Sequence, residues 1–264
     1  MDSDHIHPTA LISVESVLAT DVVVGPYAII EGPVKIAPGC QIGAHAQIIG
    51  DVSLGENCKV GRAAIIGEDP QDLSFEPATN SGVRIGRDNT LRELVTIHRS
   101  ASEGKFTTVG DGNFLMAAAH LAHDVVIGDH NVLANNVMLA GHVQVGNRVF
   151  LGGGTGVHQF ARIGDYALTQ GNSSITKDVP PYVIAYQRSC YGGLNVIGLR
   201  RAGFDARTRK EIKRAASELF HNGLPFREAL AAAQKVEWGD EARVLVEFVA
   251  AESRKGVMTG VGRA

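Results

Sequence analysis

Four histidines, His120, His123, His142 and His158, fall within one short stretch of the chain, and the second is followed directly by Asp124. Imidazole titrates near neutral pH, so it can take a hydroxyl proton as a general base, worth ~10²–10⁴ in rate. An adjacent carboxylate such as Asp124 can orient and polarise that imidazole. The same histidines could instead bind zinc. Spacing along the chain leaves both chemistries open. A single histidine would be an ordinary solvated group; four need a scaffold that gathers them.

The scaffold is written as a metre of six. Aliphatic residues recur at Ile6, Ile12, Leu18, Val24, Ile30, Ile36, Ile42, Ile48, Leu54, Val60 and Ile66 without exception. That period is neither the helical 3.6 nor the strand 2, and a fixed period sets the whole fold. Glycine often follows the anchor, as in Val24-Gly25 and Ile42-Gly43, where a side chain would hinder close approach. This is the hexapeptide signature of a parallel β-helix, with three hexads to a triangular coil. Residues 18 apart are then stacked neighbours about 4.8 Å apart, which pairs Cys40 with Cys58 as buried thiols.

The metre stops after Ile66, and residues 67–84 read as an external loop. It resumes at Ile85, Leu91 and Ile97, fails at Glu103, and returns in phase at Val109. From there it runs through Leu115, Leu121, Leu139 and Val157 to Ile163, weakens at Thr169, recovers at Ile175 and ends at Asp178-Val179-Pro180-Pro181. About nine to ten coils are expected. Steps of 18 from Leu121 put the four histidines on one edge of successive coils, within about 10 Å along the axis. Counted backwards, the same steps reach Glu103 and Ile85, so both interruptions are expected on the histidine edge. Loops beside convergent titratable groups are an ordinary active-site layout.

Beyond residue 186 the pattern is helical. Residues 187–203 read as a linker turning into a helix; Ile212, Ala215, Ala216 and Leu219 share one face of the next. Asn222-Gly223 is a stop signal, Pro225 starts another helix, and Gly239-Asp240 precedes a last one with Leu245, Phe248 and Ala251 or Glu252 on successive turns. The final eight residues read as frayed. The chain divides into a β-helix over 1–186 with its loop at 67–84, and a small α-helical domain over 187–264. A net charge of −3 gives no global attraction for nucleic acid. No apolar run approaches the ~18 residues of a membrane span. The N-terminus lacks a signal-peptide pattern, and three cysteines make no disulfide framework, so the cytoplasm is expected.

His120-Leu-Ala-His123-Asp124, Leu139-Ala-Gly-His142 and Val157-His158-Gln159-Phe160 closely resemble the acyl-[acyl-carrier-protein]–UDP-N-acetylglucosamine O-acyltransferase family. Gln71-Asp72-Leu73, Val95-Thr-Ile-His98-Arg99, Asp178-Val-Pro-Pro-Tyr182 and Gly198-Leu-Arg-Arg201 extend the likeness over nearly the whole chain. The resemblance implies a left-handed parallel β-helix, a homotrimer with sites between subunits, and the first step of lipid A biosynthesis, without cofactor or metal. His123 would be the base, taking the proton of the sugar 3-hydroxyl as it attacks an (R)-3-hydroxyacyl thioester on acyl carrier protein. Asp124 would hold His123, and the Gly141 N–H would stabilise the oxyanion. Leu73, Ser74, His120, His142, His158 and Gln159 match positions lining the UDP-N-acetylglucosamine and acyl sites. Gly171 matches the position that sets acyl length. Asn195 and Arg201 match nucleotide-contacting positions.

Three departures bear on specificity: Ser74 stands where a member of that family carries a lysine, Ile197 where that member has a glutamate, and Ala202 where it has a second arginine. They leave open a 3-amino sugar as acceptor. The carrier is acidic, and Arg207, Arg209, Lys210, Lys213 and Arg214 offer it a basic helix face. Three other readings compete. A sister N-acyltransferase usually carries an extra N-terminal domain, whereas the repeat here begins by Ile6. A γ-type carbonic anhydrase would need histidine-bound zinc, and a purely structural β-helix would need no histidine cluster.

Overall fold

In a computed structural model that describes residues 5–259, the hexads form short strands stacked into three faces of nine, eight and ten strands. The first face runs from Leu11–Ile12 to Ser174–Ile175 and the second from Val17–Leu18 to Arg162–Ile163. The third runs from Val23–Val24 to Val183–Tyr186, closed by the antiparallel strand Cys190–Leu194. Partners 18 apart pair in register, as in Leu121↔Leu139, Leu139↔Val157 and Val157↔Ile175. The anchors all point inward: Ile48, Ile66, Ile97, Leu121 and Leu139 are fully buried in one column. Burying each contributes about 1.5–3 kcal/mol relative to exposure. Where Thr169 replaces an aliphatic anchor, its hydroxyl is satisfied by Thr155 Oγ1 at 3.0 Å and by the Gly152 N–H at 3.0 Å. Cys40 and Cys58 are free buried thiols donating to the carbonyls of Gly55 and Gly86.

The coils wind left-handed, against the usual hand of crossover connections. Their turns place non-glycine residues at positive φ at repeating positions. On the edge between the first and second faces these are Asp124 (60°), His142 (61°) and Phe160 (65°). Such residues cost about 1–3 kcal/mol each, which the stacking of successive coils must offset.

Between Thr96–His98 and Phe106–Val109 the chain inserts extra residues, so Leu121 lies over Ile97, not Glu103. Ile85 belongs to the second face, between Leu54 and Val109. The backward count in steps of 18 therefore fails, because an insertion resets it. Its conclusion survives for another reason. Both excursions leave first-face strands, Ile65–Glu68 and Thr96–His98, and return on the second face, and the 122–125 turn does the same. The external loop is also shorter than 67–84. Gly67 and Glu68 continue their strand and Gly82–Ile85 forms one, leaving 69–81.

The third face carries the chain past residue 186, then four helices follow: α1 (Val196–Arg201), α2 (Ala206–Phe220), α3 (Phe226–Ala233) and α4 (Asp240–Ala250). Ile212, Ala215, Ala216 and Leu219 of α2 are buried against Ala242, Leu245, Val246 and Val249 of α4 and Trp238. Phe248 is half-buried: its ring packs against this helical core and is covered by the Arg162 guanidinium of the second face. After α4 the chain returns to the prism, where Val257 bridges Asp178 and Met258 is fully buried in the β-helix core. The end is thus not frayed at those two residues; positions 1–4 and 260–264 lie outside the described residues.

Candidate active site

The turn after His120–Leu121 carries His123 and Asp124 out from the edge. His123 Nδ1 is 2.8 Å from Asp124 Oδ2, which fixes the ring and leaves Nε2 as its free nitrogen. Asp124 is nearly enclosed. Its Oδ1 accepts the Ser100 hydroxyl at 2.5 Å, its Oδ2 accepts the Ala101 N–H at 3.2 Å, and its own N–H donates to Thr107 Oγ1 at 2.9 Å. Burial by itself would raise this carboxyl; the hydrogen bonds from Ser100, His123 and Ala101 outweigh it and hold Asp124 below the ordinary carboxylate range. It is therefore an anion at neutral pH, aimed at His123.

One coil above, Gly141 faces the other side of the His123 ring. A Cβ built on Gly141 would come within 2.6 Å of both Cε1 and Nε2, so only glycine lets the imidazole occupy this position. Among the described residues the Gly141 N–H has no acceptor. His142 packs edge-on against His123, with ring centroids 5.1 Å apart, and stacks on Phe160 at 4.6 Å. Its Nε2 is 3.9 Å from Asp124 Oδ2. Burial pushes His142 below the ordinary histidine range, assisted by His123, Arg254 and Lys105 and opposed by Asp124. His120 points outward from the first face, bonded through Nδ1 to Thr96 Oγ1 at 2.7 Å and packed against buried His98. Burial, with His98 beside it, pushes His120 down to about 4. His158 and Gln159 lie exposed at the next turn of the same edge.

The external loop is fastened to this edge by Arg99. Its guanidinium reaches Asp69 Oδ1 (2.8 Å) and the carbonyls of Thr79 (2.6 Å) and Pro77 (2.8 Å), and it covers the Phe75 ring. Ser81 joins in by donating to the Ser100 carbonyl at 2.5 Å. Ser74 donates both its N–H and its hydroxyl to Asp72, and Leu73 at the tip is wholly exposed.

Other expected residues are elsewhere in the chain. Gly171 is exposed on the edge between the third and first faces. Asn195 caps α1: its side chain accepts from the Gly198 N–H at 3.0 Å and donates to the Tyr166 carbonyl at 2.9 Å. Arg201 ends α1, exposed. Ser100 and Thr107 were given no role from sequence, and Phe160 and Arg99 entered only within the quoted motifs. Ser100 and Thr107 flank the failed anchor at Glu103, which was the available signal.

His123, Asp124 and His142 also present ligand atoms within 4.8 Å of one another, a spacing that a metal ion could use. Both oxygens of Asp124 already accept hydrogen bonds. The arrangement has the parts of an oriented base: a free Nε2, an anion behind Nδ1, and a backbone N–H beside it without an acceptor among the described residues.

A family description for bacterial transferase hexapeptide repeats matches residues 33–68 and 106–141, and one for domain 2 of UDP-N-acetylglucosamine O-acyltransferase matches 178–258. The acyl-[acyl-carrier-protein]–UDP-N-acetylglucosamine O-acyltransferase of Paraburkholderia phymatum is 43% identical over 260 residues, covering 96% of this chain and 98% of that one. The enzyme of the same name from Neisseria gonorrhoeae is 45% identical over 256 residues, covering 96% and 98%. Among solved structures, LpxA from Acinetobacter baumannii superposes with a TM-score of 0.90 at 37% identity, covering 97% of this chain and 100% of that one. The UDP-N-acetylglucosamine acyltransferase of Campylobacter jejuni gives 0.89 at 34%, covering 98% and 100%.

Proposed function

The chain belongs to the acyl-[acyl-carrier-protein]–UDP-N-acetylglucosamine O-acyltransferase family, and from that premise we propose how its residues transfer an (R)-3-hydroxyacyl group to the sugar 3-hydroxyl. His123 Nε2 takes the hydroxyl proton as the oxygen attacks the thioester carbonyl. The tetrahedral oxyanion accepts the Gly141 N–H. The C–S bond then breaks, and the carrier's sulfur leaves with the proton returned by His123. Asp124 stays ionised throughout and stabilises the imidazolium. The observation that carries this reading is the Asp124–His123 pair with Gly141 against the free edge of the ring. Acyl transfer from hydroxyacyl carrier protein to UDP-N-acetylglucosamine, wild type against His123→Ala, tests it; a fully active variant would falsify the assignment of the base.

The family relationship displaces the γ-type carbonic anhydrase alternative. A 3-amino acceptor is the second reading, favoured by Ser74: its hydroxyl is spent on Asp72, so the loop tip carries a carboxylate and no cation. Turnover of the two acceptors side by side decides between them. His120, His142, His158, Gln159, Leu73 and Ser74 would line the substrates.

A homotrimer fits the separation of Gly171 and Arg201 from the His123 edge, since a neighbouring copy can bring its own to the site. Asn195 would contribute by setting α1, because its amide is already spent. Sedimentation of the purified protein checks the assembly; a monomer at working concentration counts against it. For the acidic carrier, Arg207, Lys210, Lys213 and Arg214 of α2 are exposed, whereas Arg209 turns inward to the Phe204 carbonyl. Charge reversal at Lys210 and Lys213 should raise the carrier's KM and flatten its salt dependence. Among the described residues no helix is long and apolar enough to cross a membrane. The reaction would run in the cytoplasm, which fractionation of cells expressing the protein checks.

A further inference from the structure

A cleft of about 570 Å³ opens beside His142 on the second face, and its walls include Lys105, Phe160, Arg162, Glu252 and Arg254. Its cations come from three separate parts of the chain. Lys105 ends the insertion that breaks the six-residue metre, and Arg162 stands on a second-face strand. Arg254 belongs to the segment after α4. That segment is pinned by backbone bonds from Asp178 N–H to the Gly256 carbonyl (2.9 Å) and from Met258 N–H to the Asp178 carbonyl (3.0 Å). Arg254 is thus delivered to the cleft by an anchored strap, with its guanidinium 4.8 Å from the Phe160 ring centre, and that ring stacks on His142.

The charges are unequally matched. Arg162 is neutralised by buried Asp178, Nε to Oδ2 at 2.7 Å. Among the described residues neither Lys105 nor Arg254 has an ion-pair partner within 4.0 Å, and Glu252 is the one carboxylate in the cleft wall. Two unmatched cations against one anion leave the cleft positive, directly beside the reacting edge. Both substrates of the proposed reaction carry phosphoryl groups: the diphosphate of the sugar nucleotide and the phosphate of the carrier's pantetheine arm. Arginine binds phosphoryl oxygens bidentately and lysine as a point charge, so the pair suits such a group.

We propose that this cleft is a phosphoryl subsite, in which Lys105 and Arg254 hold a phosphate of one substrate while the reactive end of that substrate lies at His123. The proposal rests on the acyl-transfer reading for the identity of its ligand, and the geometry alone supplies the charge. Neither residue touches the reacting atoms, so the subsite acts on binding and not on the chemical step.

The test uses the full-length protein and three variants, Lys105→Ala, Arg254→Ala and the double substitution, with circular dichroism to check folding. Calorimetric titration with UDP and, separately, with 4′-phosphopantetheine reads the site directly; dephosphorylated pantetheine is the control. Each single variant should weaken one of the two probes by about tenfold or more, as expected for a charge-assisted hydrogen bond, and reduce the salt dependence of that binding. Pantetheine binding should not change. A loss confined to UDP assigns the cleft to the nucleotide, and a loss confined to phosphopantetheine assigns it to the donor arm. Equal affinity of wild type and double variant for both probes overturns the subsite, as does binding of neither probe by the wild type. A wild-type protein that transfers no acyl group, but whose phosphate affinity still falls on substitution, overturns the acyl-transfer reading and leaves the subsite standing.

Discussion

Ser100, fully buried, donates its hydroxyl to Oδ1 of Asp124 at 2.5 Å, from within the segment that interrupts the six-residue metre. The interruption thus supplies a donor to the carboxylate that orients the base. Ser100→Ala removes one of the hydrogen bonds to the ionised form and frees Asp124 to rotate away from His123. Hydrogen bonds to a charged group contribute about 1.5–3 kcal/mol, so kcat should fall roughly ten- to a hundredfold by that measure, with KM little changed. Steady-state kinetics on both substrates checks this; an equal loss spread over KM would point to a general loosening of the edge.

Gly141→Ala puts a methyl group where the His123 ring now lies, 2.6 Å from Nε2. The ring must move, and a displacement of about 1 Å in a catalytic group can cost ~10² in rate. Activity should drop by about that factor while far-ultraviolet dichroism and melting temperature stay near wild type, because the added methyl meets a side chain and no backbone. Wild-type turnover in the alanine variant would mean the base reacts from another position.

Arg99 holds the 69–81 loop through Asp69, Pro77 and Thr79 at once. Replacing it with alanine should raise the KM for the sugar nucleotide and expose the segment around Leu73 and Ser74 to proteases. Lysine should rescue little, since a point charge cannot reach three acceptors set around a planar fork. Limited proteolysis followed by mass mapping gives the readout. Full protection by lysine would show that charge alone fastens the loop.

Stability should fall on mild acidification. Burial, with His98 beside it, holds the folded-state pKa of His120 at about 4, against an ordinary value of 6.5. Between those values the unfolded chain binds the proton and the folded chain does not, so stability is lost as pH falls from about 6.5 to about 4. His98, depressed mainly by burial, acts in the same direction. Asp124 adds a loss at lower pH still, as its carboxylate protonates. His120→Gln keeps a partner for Thr96 and should flatten the slope of melting temperature against pH across that window. A variant with the wild-type slope would assign the effect to other groups.

The period of six, unbroken from Ile6 to Ile66, determined the prism, its three faces and the stacking of Cys40 on Cys58, because one aliphatic anchor per hexad can be buried only if coils stack in register. It also grouped the histidines, since stacking at 18 is a local rule that counting follows wherever the repeat is intact. Counting failed where residues were inserted: nothing local says that Ile97, and not Glu103, lies beneath Leu121. The helical tail was legible in its buried faces, Ile212 to Leu219 above all, but not in its return to the prism through Val257 and Met258. Only the tertiary structure decided which groups meet across coils and loops. Ser100 reaches Asp124, Gly141 yields space to His123, Arg99 clasps the loop, and Arg254 arrives beside Phe160 from the far end of the chain. Such contacts depend on how loops fold back over an edge, and the physical cause is long-range packing, which leaves no periodic mark in the sequence.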